Sequence, residues 1–136
     1  GFDEVVVGAQ FEAQHPVGQP VATGQDQRGA GVLFLEFAQH LQAWVALHPR
    51  DAAAWQLLAA SDAAQNRPLR AIRAEAEAQV ALLDYAAAID RFKAAQELAR
   101  SMARGGTLGA DHIEASIIDT RTRRVESLLR EQALER

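Results

Sequence analysis

The run Pro68–Leu83, PLRAIRAEAEAQVALL, constrains this chain more than any other stretch. Placed on a helix, Leu69, Ile72, Ala76, Val80 and Leu83 form one apolar stripe, and Ala71, Ala74, Ala78 and Ala81 form a second, slimmer one. A helix that is apolar along two edges buries both only when other helices flank it on either side. The alanine edge lets one of those neighbours approach closely. The surrounding composition agrees: 49% of the residues are hydrophobic, alanine prominent among them, and only 6% are aromatic. Alanine is the best helix former, so closely packed helices suit this chain better than a sandwich or barrel.

The neighbours can be read on both sides. Val32–His48 predicts a helix with Phe34, Phe37, Leu41, Trp44, Val45 and His48 on one face, ended by Pro49. Asp51 caps a second helix near Ala52–Gln65, whose large apolar residues are Trp55 and Leu58; Asn66 ends it and Pro68 opens the next. Asp84 caps a fourth helix near Tyr85–Met102, where Tyr85, Ala88, Ile89, Phe92, Ala95 and Ala99 repeat at helical spacing. Gly105, Gly106 and Gly109 interrupt it. A last helix starts at Asp111-His112-Ile113-Glu114, an acidic capping box, and runs to about Leu134. Ile113, Ile117, Ile118, Val125, Leu128 and Leu129 supply its apolar edge, with Arg121, Arg123 and Arg124 mostly outward.

Residues 1–31 break any period at His15-Pro16, Gly18, Pro20, Gly24 and Gly29-Ala30-Gly31. They read as an arm or long loop holding at most one short helix, with Phe2, Val5, Val6 and Phe11 as anchors. The predicted fold is thus all-α: an antiparallel helix-hairpin array of about five helices over residues 32–136, preceded by a poorly regular arm. At 136 residues it is one domain with a real core.

Fourteen Lys+Arg against 18 Asp+Glu give a net charge of −4, which argues against a general nucleic-acid binder. With no cysteine there is no disulfide, no thiolate nucleophile and no Cys-based zinc site. No apolar run approaches the roughly 20 residues of a membrane span. The chain begins at Gly1 rather than Met, as a piece of a longer protein would. His15, His40, His48 and His112 include no HExxH pair. Ser61, Ser101, Ser116 and Ser127 lie in no G-x-S-x-G elbow. The glycines after the fourth helix lack a Walker lysine. Arg73 with Glu77, and Glu126 with Arg130, are i,i+4 pairs of a solvated helix face.

The run DYAAAIDRFKAA, Asp84–Ala95, closely resembles the second half of a tetratricopeptide repeat, with Ala88, Ile89, Phe92 and Ala95 in its small, apolar, aromatic and small places. Ala54–Ala59 resembles the first half through Trp55, Leu58 and Ala59, and Ala71 takes the next small-residue place. Ala71 and Ala88 lie 17 positions apart (88 − 71), half of the roughly 34-residue period. Asp62 stands where the family usually has an aromatic, and Arg100 where a proline would end the repeat. From about Leu41 to Arg136 the chain also resembles the C-terminal tail of bacterial envelope zinc metallopeptidases, similar to the β-barrel assembly-enhancing protease family.

That resemblance implies a non-catalytic protein-protein interaction domain. It would recruit a partner or position substrate for an HExxH zinc peptidase domain upstream, in the periplasm or envelope. Zinc would belong to that upstream domain, with no cofactor here. A cytoplasmic location stays open, as does a free-standing scaffold or homodimerisation module, with Trp44 and the outer face of the last helix as places for pairing. Tetratricopeptide arrays dock protein or peptide partners on a concave face. Carried over, this implies Gln56, Ala60 and Ala63 of the second helix and Arg70, Arg73 and Glu77 of the third. Arg70 and Arg73 would meet an acidic or C-terminal group of a peptide; the alternative is that they are soluble helix surface.

Overall fold

A computed structural model describes residues 24–135, so Phe2, Val5, Val6, Phe11 and His15 lie outside the described residues. By contact density the chain divides into two units, Gly1–Leu33 and Phe34–Arg136. Five α-helices and one 3-10 turn make up the described part: α1 (Gly24–Leu47), α2 (Ala52–Ala64), α3 (Pro68–Ala81), α4 (Tyr85–Arg104), the turn Gly109–Asp111 and α5 (His112–Leu134). No strand occurs among the described residues. The helix-hairpin array is therefore as expected, with one boundary corrected. Residues 24–31, read from sequence as arm, are helical. Glycines at 24, 29 and 31 lower helix propensity by only about 1 kcal/mol each, which the longer helix tolerates.

The connections follow local chemistry. Asp51 Oδ1 accepts from the Ala54 amide at 3.1 Å, and Asp84 Oδ1 accepts from the Ala87 amide at 3.1 Å. At the other ends, Asn66 (φ 59°), Leu83 (φ 64°) and Gly106 (φ 74°) turn left-handed. The residue after each donates back over the last turn: Arg67 N to Asp62 O at 2.9 Å, Asp84 N to Gln79 O at 2.9 Å and Thr107 N to Met102 O at 2.8 Å. These are Schellman closures. Leu83 serves as one of them and stays 61% exposed, so it leaves the apolar stripe to which the sequence assigned it.

α3 is the pivot. Ala74 and Ala78 are buried in a first core with Ala38, Leu41 and Val45 of α1 and Trp55, Leu58 and Ala59 of α2, with Ala81 packed against it. Leu69 and Ala76 are buried in a second core with Ala88, Ile89, Phe92 and Ala95 of α4 and Ile118 and Val125 of α5; Ile72 and Val80 pack against that one. The two stripes of α3 thus serve two different cores. α3 also touches α5 directly, while α4 packs on both. The result is a zigzag with α3 and α5 in one row and α4 across from them.

Two apolar faces are rotated relative to expectation. On α1 the buried residues are Ala38, Leu41 and Val45, while Phe37 and Trp44 are about half exposed; the Phe34 side chain is outside the description. The small Ala38 is buried in a core to which α2 and α3 also bring alanines, Ala54, Ala59, Ala74 and Ala78. On α5, Ile118 and Val125 are buried, but Ile113 is 62% and Ile117 39% exposed.

Candidate functional site

The turn between α1 and α2 is held by both tryptophans. Trp55 is buried, and its indole Nε1 donates to the Pro49 carbonyl at 3.0 Å. Trp44 Nε1 donates to Asp51 Oδ2 at 2.8 Å, and its ring stacks on His48 with centroids 3.9 Å apart. That donor first, then the Ala54 amide, hold the Asp51 carboxyl below its ordinary value. The turn thereby fixes the wall of a groove of about 440 Å³. Val45 of α1, Trp55 and Leu58 of α2, Arg70 and Arg73 of α3, and Glu114 and Ile117 of α5 line it. Ile117, 39% exposed, is among the lining residues.

Four charged residues join α3 to α5 along this wall. Arg73 Nε donates to Glu114 Oε2. Arg121 donates through Nε and Nη2 to the two carboxylate oxygens of Glu77, both at 2.7 Å. The Arg73–Glu77 approach, the i,i+4 pair read from sequence, is the loosest at 4.0 Å. Glu77 and Glu114 are buried, unlike residues of a solvated face. Arg121 is turned inward rather than outward, and its hydrogen bonds to Glu77 raise its pKa. Glu114 does not close a capping box: Asp111, the N-cap of α5, makes no side-chain capping bond, and Glu114 is committed to Arg73.

Arg70 differs from Arg73. It lines the groove and also a second pocket of about 210 Å³ with Arg67, Asn66 and Asp111, and it forms no ion pair with a described residue. Near the C-terminal end of α2, Asp62 is 1% exposed and its Oδ1 has no hydrogen-bond partner. Burial pushes the Asp62 carboxyl up, opposed by Arg70 most strongly and then Arg67.

The six residues expected at the site do not share one surface. Arg70 and Arg73 meet at the groove. Glu77 is buried beside it and saturated by Arg121. Gln56, Ala60 and Ala63 are exposed on the far side of α2 from Trp55 and Leu58, because at 100° per residue they fall on the opposite face. Sequence reasoning missed Val45, Glu114, Ile117 and Arg121. The one available signal was complementary order, plus then minus at Arg73 and Glu77, minus then plus at Glu114 and Arg121.

His40 and His48 are exposed, and His112 sits at the start of α5 with Nδ1 3.1 Å from the Gly109 carbonyl. No group of three potential ligands suited to a metal ion occurs among the described residues. No helix among them is long and apolar enough to cross a membrane. No family model, curated protein or solved structure matches the chain.

Proposed function

We propose that this domain is a non-catalytic docking module whose groove takes a short protein segment bearing a carboxylate. The observation that carries this is a guanidinium, that of Arg70, facing an apolar pocket without an ion-pair partner among the described residues. A ligand carboxylate meets Arg70, and an adjoining apolar side chain lies against Val45, Leu58 and Ile117. Arg73 contributes positive potential but is held by Glu114. In a longer protein organised like the envelope zinc metallopeptidases that the sequence resembles, such a groove recruits a partner or presents substrate to the peptidase domain.

The test is a panel of peptides with free and amidated C-termini, read against Arg70→Glu. This variant is cleaner than one that also alters Arg73, since removing Arg73 orphans the buried Glu114. A charge-assisted hydrogen bond is worth about 1.5–3 kcal/mol, so Arg70→Glu should weaken the best free-carboxylate peptide by at least about tenfold. Equal affinity for the variant, or for amidated peptides, overturns the reading.

Homodimerisation, the second reading, has its own observation. Phe37, Trp44 and Leu47 (78% exposed) follow one another with His40 at spacings of three and four along α1, the pattern of a helix-pairing seam. If chains pair through it, sedimentation at high micromolar concentration shows a dimer that Phe37→Glu converts to monomer. A monomeric parent chain under those conditions removes this reading.

A further inference from the structure

We infer that Asp62 is the positioning residue of this groove: its carboxylate steadies the Arg70 guanidinium when the groove is empty and takes up a proton from solvent when a ligand carboxylate engages Arg70. The inference rests on the docking reading and adds its regulation. Asp62 is placed for this role by the closure of α2. Its carbonyl accepts the Arg67 amide at 2.9 Å, which fixes it at the foot of α3, where Arg67 and Arg70 begin. Its side chain is 1% exposed, so a ligand in the groove acts on it only through intervening groups. Its Oδ1 receives no hydrogen bond. With one of its oxygens buried and lacking a donor, the carboxylate depends on nearby positive charge to stay ionised.

The charges around it are Arg70, Arg67 and Arg73 from α3, which favour its ionised form, and Glu114 from α5, which opposes it. Arg73 is already neutralised by Glu114. Arg70 is therefore the largest support for the Asp62 charge, and it is also the cation that faces the groove. A ligand carboxylate on Arg70 cancels that support. Burial then favours the protonated acid, and between the ligand-free and ligand-bound midpoints a fraction of a proton is taken up from solvent for each ligand bound. By reciprocity, acidification through the Asp62 titration strengthens ligand binding.

The experiment uses the full 136-residue chain and N-acetyl-leucine as probe, its carboxylate for Arg70 and its side chain for the apolar wall. The Asp62 carboxyl carbon and the Arg70 Nε resonance are followed by NMR through a pH titration, with and without the probe. The expected result is a shift of Arg70 Nε on binding and a rise in the Asp62 midpoint. Affinity should tighten about fivefold as pH falls through that midpoint, above the range near ~3.5 where the probe's own carboxylate protonates. Asp62→Asn should bind without that pH dependence. If Arg70 responds to the probe while the Asp62 midpoint stays fixed, the inference fails and the groove reading stands. If Arg70 does not respond, both fail. The midpoint measurement is made on the native chain, so it decides the matter even if Asp62→Asn does not fold.

Discussion

Glu77→Ala is expected to cost about 3–5 kcal/mol of folding stability, a large share of the roughly 5–15 kcal/mol of a typical domain. The reason is what it leaves behind. Arg121 reaches across from α5 to give Glu77 two hydrogen bonds at 2.7 Å, and it is only about one third exposed. Removing Glu77 strands that guanidinium at the α3–α5 contact and leaves Arg73 with Glu114 alone. Replacing both partners with apolar residues, Glu77→Leu with Arg121→Leu, is expected to be much milder, because desolvation is then relieved on both sides. Urea unfolding of the two variants checks this. A single-variant loss below about 1 kcal/mol, the range of exposed pairs, would show the network to be surface decoration.

The second large effect is expected at Phe92→Ala, about 3–5 kcal/mol. Phe92 is 0% exposed and stands in the second core among Leu69, Ala76, Ala88, Ile118 and Val125. Among the described residues its ring is the largest fully buried side chain, in a core that draws on α3, α4 and α5. The alanines in that core, Ala76, Ala88, Ala95 and Ala99, have side chains too short to fill the space it leaves. The checks are thermal and urea unfolding of Phe92→Ala against Phe92→Leu. The leucine variant should retain most of the stability, and equal losses for both would mean that the ring volume is not what the core needs.

The groove was only half legible in the sequence, for a physical reason. Arg70 and Arg73 were carried over from the repeat pattern like the others, and they meet at the groove because a three-residue spacing puts them on one helix edge regardless of what packs nearby. Glu77 shares that edge, and nothing in its neighbours in sequence distinguishes a buried carboxylate from a solvated one. Its partner Arg121 lies 44 residues away, on a helix whose register against α3 is set by the packing of Ile118 and Val125. Gln56, Ala60 and Ala63 were carried over from a repeat pattern. The groove instead receives Trp55 and Leu58, from the face of α2 that the pivot helix also packs against.

What the sequence determined by itself is what local forces decide. The carboxylates of Asp51 and Asp84, the proline at 68, the left-handed turn at Asn66 and, Leu83 apart, the two stripes of α3 each act within a turn or two of helix, and each is where the residues put it. What only the tertiary structure decided is how far each helix is rotated about its own axis. Ala38 rather than Phe37 faces inward, and Ile118 rather than Ile117. An apolar residue next to the buried stripe costs little to expose, so one helix alone leaves its rotation loosely set; the close fit of alanines on the neighbouring helices settles it. The same rotation turns Arg121 inward to Glu77 and leaves Arg70 facing the open groove.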